Sequence, residues 1–399
     1  MAQPKRILFF SLTYYPFIGG AEVAIKEVTD RIPEEKYSFD MITLRFNSDL
    51  PRFERFGSID IFRIGFGQKG AKIQDFNKFP LFIMKYLYPF WALAAAVVLH
   101  RRKPYDAIAT VMTSYASFAA LFFKFLFPGV PYIVRLDDGD PFEHYRKKAR
   151  ITGPLFGKLF TKADFAVTAS TYLSKMAREM GYKKEIAIVP NGVNAELFSK
   201  EYSAEELNKL KKKLGKKDDD FYLITTSRLV KKNASDDVIR AMPLLPQNVK
   251  FLILGVGPDE GILHELAGNL NVSDRVIFLG QIGRDEIPKY LKISDIFIRP
   301  SLSEGFGISF VEAMIAGLPV IATSVGGITD FLVDKETGLF CEVRSPASIA
   351  EKVKLIISSP DLREHIVKTG ARMARERYDW NLVAKMMKES VFDRVFNEE

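Results

Sequence analysis

The chain contains one cysteine, Cys341, in 399 residues. An intrachain disulfide is therefore impossible, and a cysteine-rich structural zinc site is excluded. Such sparing cysteine usage sets a reducing, cytoplasmic setting as the expectation. Histidine is scarce as well: His100, His144, His264 and His365 are scattered and form no close ligand-spaced pair. Long apolar runs are missing too. The most hydrophobic stretch, Tyr86–Leu99, has fourteen residues, short of the ~20 needed to span a bilayer. The apolar run near Met1 carries no small-residue cleavage pattern and reads as a buried strand. Short-period repeats and low-complexity tracts are absent. The composition, 47% hydrophobic and 27% charged, excludes disordered and fibrous classes and leaves enough chain for two or three cores.

What is present begins with charge. The net charge is +8, but residues 1–195 carry 28 Lys+Arg against 18 Asp+Glu, a net +10, whereas residues 196–399 carry 29 against 31, a net −2. One half attracts anions and the other does not. Nucleic acid, a membrane surface and a phosphorylated ligand are the candidate partners.

Apolar runs of strand length alternate with Gly- or Pro-bearing turns and amphipathic helices. Strands are expected at Arg6–Leu12, Phe39–Leu44, Ala107–Thr110, Tyr132–Leu136, Phe165–Ala169 and Ile186–Val189. A second series is expected at Tyr222–Thr226, Lys250–Leu254, Arg275–Leu279, Ile296–Arg299, Pro319–Ala322 and Gly338–Cys341. The runs are continuous rather than alternating, as in parallel strands covered on both faces. Alternation with helices implies right-handed βαβ units. The break at Asn194–Asp220 holds a lysine-rich amphipathic segment, Ala204–Leu214. The expected fold is α/β, two Rossmann-like domains facing each other across a cleft. Their expected bounds are 1–195 and 196–375, with 376–399 a C-terminal helix packing back toward the first domain. Ligands of such sheets sit at the strand C-termini.

Three constellations carry candidate chemistry. After the first strand, Gly19-Gly20 precede a helix from about Ala21, forming either an anion cradle at a helix N-terminus or a plain cap. After the first strand of the second domain stand Arg228, Lys231 and Lys232, placed to hold a diphosphate or forming a solvated basic loop. The third is SEGFGISFVEA, in which Glu304 precedes Gly305, Phe306, Gly307 and Ile308, and Glu312 follows on a helix. Gly-rich backbone at a helix start donates N–H groups to a phosphate or sugar, and Glu304 accepts from sugar hydroxyls. The alternative is a capped helix with one surface and one buried glutamate.

With these pieces in order, the sequence resembles the retaining nucleotide-sugar glycosyltransferases of the GT-B fold, glycosyltransferase family 4. The resemblance rests on YPFIGGAE, VPNGVN, TTSRLVKKN, LILGVGP, SEGFGISFVEAMIAGLPVIATSVGGI and YDW at Tyr378–Trp380, and covers nearly the whole chain. It implies that Gly20 lies against the donor diphosphate, with Gly19 beside it. Arg228 and a following lysine neutralise that diphosphate as it leaves. Glu304 contacts the donor sugar, Gly305 to Ile308 offer backbone N–H groups, and Glu312 holds the ribose hydroxyls. It implies a UDP- or GDP-sugar donor, no cofactor, no metal, and a glycan or lipid-linked acceptor. The sequence departs from the family twice. The family lysine five residues after the arginine is Asn233 here, so Lys232 is expected to serve. The family histidine after PYIVRL is Asp137, which is carried as the residue near the sugar's reactive face.

Rival readings exist for several of these features. Asp138-Gly139-Asp140 looks like a metal-binding Asp-x-Asp pair. Gly255-x-Gly257 looks like a dinucleotide fingerprint without its third glycine. Other function classes are a nucleotide-sugar epimerase or hydrolase, which needs no acceptor, and a basic nucleic-acid-binding protein, for which no motif is present. Tyr86–Leu99 is either a buried helix starting near Pro89 or an interfacial element followed by Arg101–Lys103. Peripheral docking on an anionic membrane draws on Lys69, Lys72, Lys78 and Lys85 with Phe76, Phe79, Phe82 and Trp91 between them. Phe122–Phe127 and Arg146–Arg150 would add to it.

Overall fold

The computed structural model describes residues 3–397 apart from 18, 73–74, 77, 113, 138 and 141–152. Asp138, His144 and Arg146–Arg150 therefore lie outside the described residues. The chain divides into two compact units, Met1–Asn191 with Trp380–Glu399, and Gly192–Asp379.

The first unit is built on an eight-stranded sheet. Its strands are β1 (Lys5–Phe10), β2 (Tyr37–Leu44), β3 (Phe53–Phe56), β4 (Ile59–Ile64), β5 (Ala107–Thr110), β6 (Tyr132–Leu136), β7 (Phe165–Thr168) and β8 (Ile186–Ile188). Their spatial order is β3-β4-β2-β1-β5-β6-β7-β8. All pairings are parallel except β3 with β4. The chain crosses from one side of β1 to the other between β2 and β5, so the sheet's switch point lies at β1 and β5. Helix α1 (Gly20–Thr29) follows β1 there. The core around Ile7, Phe9, Met41 and Ile133 also takes in Trp380, Val383, Met387 and Phe392 from the far end of the chain.

The hairpin β3–β4 is an addition to the expected strands. Its inner strand β4 alternates buried and half-buried residues and its edge strand β3 exposed and half-buried ones, so both lack the continuous apolar run of a strand covered on both faces. The stretch Tyr86–Leu99 also differs from the buried-helix expectation. It belongs to helix α2, Ile83–Arg102, which starts six residues before Pro89 and contains it. One stripe of α2, Met84, Tyr88, Ala92 and Ala96, is buried against the sheet, and the Tyr88 hydroxyl donates to the Ile42 carbonyl at 2.7 Å. Tyr86, Phe90, Ala94, Val98, Arg101 and Arg102 are exposed. Helix α3, Tyr115–Leu126, packs beside it.

The second unit carries β9 (Phe221–Thr226), β10 (Val249–Leu254), β11 (Val276–Gly280), β12 (Ile296–Arg299), β13 (Val320–Thr323) and β14 (Leu339–Cys341). They form a parallel sheet in the order β11-β10-β9-β12-β13-β14. Here β9 and β12 flank the switch point, and the loops after their C-termini carry Arg228 and Glu304. In such sheets ligands bind in that crevice. The segment Ala204–Leu214 is helical, with Ser203 capping it and Glu206 reaching back to the cap.

Candidate active site

In the second unit, the loop after β9 and the loop after β12 are tied together by backbone: the Leu302 N–H donates to the Lys232 carbonyl at 2.7 Å. This bond brings Arg228 and Lys232 into the neighbourhood of Glu304, as the topology requires. Asn233, where the family has lysine, is buried. Its side-chain amide donates to the Arg228 carbonyl at 2.6 Å, so it shapes the loop from within. Lys231 is exposed and lines a separate hollow of about 390 Å³ with Arg240, Asp259 and Arg344, whereas Lys232 is partly covered. Arg228 is exposed, and among the described residues its guanidinium makes no ion pair.

Glu304 is oriented by a residue that the motif reading overlooked. Arg299, the last residue of β12, is buried. It donates from Nη2 to Glu304 Oε2 at 2.6 Å and from Nη1 to Ser309 Oγ at 2.8 Å. Its guanidinium lies 4.2 Å from the centre of the Phe310 ring. Burial pulls its pKa down, against the attraction of Glu304 and Glu312. The other Glu304 oxygen accepts from the Gly305 N–H at 3.2 Å. That amide therefore already has an acceptor within the loop. The helix Ile308–Ile315 starts after Gly307, and the Phe310 N–H donates to the Gly307 carbonyl at 3.1 Å, so the Ile308 and Ser309 amides at its start are the ones available to an anion. The Phe306 ring is buried against Phe331 and Tyr378, which leaves its backbone, the part expected to meet a ligand, as the part a ligand could reach.

The Glu304 loop rests on the turn Gly326-Gly327. The Gly327 N–H donates to the Glu304 carbonyl at 3.0 Å. Gly326 has φ +55, and a Cβ there would stand 1.9 Å from the Glu304 carbonyl oxygen. Gly326→Ala is therefore expected to cost about 1–3 kcal/mol, since both the left-handed backbone and the contact oppose it. A denaturant melt showing an unchanged midpoint would contradict this packing.

Glu312 lies on the same helix and lines a pocket of about 180 Å³ with Thr226, Ser227, Gly255, Gln281 and Ile282. Burial raises its pKa to about 7, against the attraction of Arg284 and Arg299. Arg284, from the loop after β11, stands 3.9 Å away and is a second residue that motif reading missed. The Ser227 hydroxyl in this pocket is buried and has no protein partner among the described residues, leaving it for a ligand. The glycines of the fingerprint look-alike serve close packing: a Cβ on Gly255 would meet the Ser227 carbonyl oxygen at 1.9 Å and one on Gly257 the Leu229 oxygen at 2.1 Å.

The first unit holds the remaining candidates. At Gly19-Gly20 the chain enters α1, and Glu22 reaches back to accept from the Gly19 N–H at 2.9 Å and from Thr13 Oγ1 at 3.0 Å. Gly19's amide is therefore occupied, and Gly20 opens the helix. Burial lifts the Glu22 pKa against these hydrogen bonds, and Asp137 adds to the rise. Asp137 follows β6; its Oδ2 accepts from Arg135 Nε at 2.5 Å. Arg135 is itself buried and also donates to Asn191. Asp137 Oδ1 is buried without a hydrogen-bond partner among the described residues.

The family model of glycosyltransferase family 4 matches residues 18–197, and that of glycosyl transferases group 1 matches residues 207–373. The chain is 33% identical over 203 residues to an uncharacterised glycosyltransferase of Methanocaldococcus jannaschii, a match covering 50% of this chain and 52% of that one. It is 26% identical over 354 residues to the alpha-monoglucosyldiacylglycerol synthase of Acholeplasma laidlawii, covering 84% of each. Its fold matches that of Anabaena HepE in complex with UDP and glucose, with a TM-score of 0.77, 20% identity, and coverage of 98% and 100%. With matched models spanning both units and two Rossmann-like sheets, the chain belongs to the GT-B glycosyltransferases, family 4 in its N-terminal half and group 1 in its C-terminal half.

Proposed function

We propose that the protein is a retaining, metal-independent hexosyltransferase. It would move a sugar from a UDP- or GDP-sugar to a lipid-linked or cell-surface glycan acceptor, at the cytoplasmic side of a membrane. The observation that carries this reading is the placing, across the switch point of one sheet, of an exposed Arg228 that makes no ion pair among the described residues and a Glu304 held by Arg299. Support comes from the relative named for a glucosylated diacylglycerol and the structural neighbour holding UDP and glucose.

In this reading the nucleoside lies in the Glu312 pocket and its diphosphate meets Arg228, Lys232 and the start of the helix Ile308–Ile315. As the bond from the anomeric carbon to the diphosphate oxygen breaks, negative charge grows on the diphosphate, and these preorganised groups stabilise it. The acceptor hydroxyl forms the new bond on the face the diphosphate leaves, and its proton passes to the departing diphosphate. Glu304 holds the sugar's hydroxyls. The first unit, with its surplus positive charge, takes the acceptor. A thermal-shift and calorimetric screen against UDP, GDP, ADP and their sugars tests the donor. Stabilisation by one nucleotide series supports the reading, and no response to any of them overturns it.

Glu312 makes donor binding pH-dependent. Its native pKa of about 7 lies above the unfolded value of 4.5. Below that unfolded value the group is protonated in both states and contributes nothing. Between the two values only the unfolded chain ionises, so stability falls as pH rises, and the loss is complete above about pH 7. Ribose hydroxyls favour the ionised carboxylate. Donor affinity is therefore expected to rise from pH 6 to 8 with release of a proton, and Glu312→Gln to flatten the profile. Calorimetry in buffers of different ionisation enthalpy reads this directly.

A further inference from the structure

We propose that the outer face of α2 rests on an anionic lipid leaflet, holding the enzyme on the membrane that carries its acceptor. The inference rests on the lipid-acceptor reading above. A helix on a globular surface ordinarily presents charged residues outward. Helix α2 does not. Its exposed stripe is Phe82, Tyr86, Phe90, Ala94, Val98 and Arg102, at four-residue spacing, so no charge stands on it before its last turn. Phe90 is 62% exposed and Tyr86 54%. Phe79 precedes the stripe and is 76% exposed, and Phe125 and Leu126 at the end of α3 are exposed beside it.

The helix is long and apolar enough to cross a bilayer by length and composition. Its opposite stripe is buried on the sheet and fastened by the Tyr88 bond to Ile42. It therefore lies along a surface rather than through it. At its C-terminal end Arg101, Arg102 and Lys103 are exposed and make no side-chain ion pair among the described residues. An apolar stripe with aromatic rings, finished by unpaired cations, fits acyl chains and anionic headgroups together. The uneven charge of the sequence, +10 in residues 1–195, favours an anionic leaflet over a neutral apolar protein partner.

The docking face differs from the basic-aromatic set expected earlier. Phe76 is buried, with Lys85 lying 4.7 Å over its ring. Trp91 packs against Phe66. None of these three is an outward anchor.

The test is co-sedimentation of the full chain with vesicles of phosphatidylcholine alone or mixed with phosphatidylglycerol, across a salt series. Binding to the anionic vesicles at low salt is expected. Phe82→Gln with Phe90→Gln should weaken it at least about 10-fold, and Arg101→Gln, Arg102→Gln and Lys103→Gln together should remove the preference for anionic lipid. Unchanged melting temperatures and unchanged UDP or GDP binding report that the variants are folded. Absence of vesicle binding by the wild-type chain, or equal binding by the variants, overturns the proposal. So does a dimer in solution that Phe90→Gln dissolves, which would assign the face to a second copy. Vesicle binding needs no donor, and transfer to a detergent-dispersed lipid acceptor needs no bilayer, so failure here is distinguishable from failure of the proposed activity.

Discussion

Arg228→Ala is expected to lower kcat for sugar transfer about 10²- to 10³-fold while leaving the melting temperature nearly unchanged. The guanidinium is exposed and makes no ion pair among the described residues, so truncation breaks no stabilising contact in the free protein. Its carbonyl, held by Asn233, stays in place because the backbone is untouched. What is lost is a cation beside an oxygen whose charge grows only as the sugar leaves. Such a loss falls on kcat rather than on KM alone. Arg228→Lys should recover part of the rate, since a point charge replaces a two-pronged donor. Initial rates at saturating donor check this, and a change below about 3-fold would remove Arg228 from the chemistry.

Arg299→Met is expected to act on stability and activity together. Arg299 is a buried cation facing Glu304 at 2.6 Å, and removing one partner of a buried pair costs about 3–5 kcal/mol because the other charge is left uncompensated. The loss should show in a denaturant melt. Two further readouts separate positioning from mere destabilisation. Without this cation the Glu312 pKa should rise further, because Arg299 is one of the two charges that hold it down. Donor binding should then lose strength most at pH 6 to 7. Combining Arg299→Met with Glu304→Gln should cost less stability than the two single changes added, since the double variant leaves no unpaired charge on Glu304. Strict additivity would mean that the pair is not coupled.

Arg228 stands in a motif that the sequence displays, whereas Arg299 does not. Arg228 was visible because it stands in a loop after a continuous apolar strand, in TTSRLVKKN. The strand pattern also revealed both parallel sheets, because residues covered on two faces must be apolar throughout. Arg299 was hidden inside such a strand: nothing in RPSLSE shows that its side chain turns toward Glu304 rather than to solvent. Arg284 was hidden for another reason, since it approaches Glu312 from β11, on the far side of β10 and β9. The β3–β4 hairpin escaped notice because its alternation differs from the runs around it. The outward face of α2 was ambiguous because an apolar stretch reads alike whether it is buried or laid on a membrane; only the burial of Met84, Tyr88, Ala92 and Ala96 separates its two faces.

The role of Asn233 shows the same limit at one residue. Aligned with the family lysine, it looks like a lost phosphate contact. Folded, it is a buried brace that donates to the Arg228 carbonyl, and in the proposed function Lys232 next to it supplies the cation.

The central claim is that the Arg228 and Glu304 loops carry a retaining transfer from a nucleotide-sugar. The most direct measurement incubates the purified chain with the nucleotide-sugar identified by thermal shift and a lipid extract, then determines the anomeric configuration of the product by NMR. A glycosylated lipid with the donor's configuration is expected, formed about 10²-fold or more slowly by Arg228→Ala. An inverted product, free sugar or an epimerised donor with no glycosylated acceptor, or an undiminished rate in that variant, would contradict it.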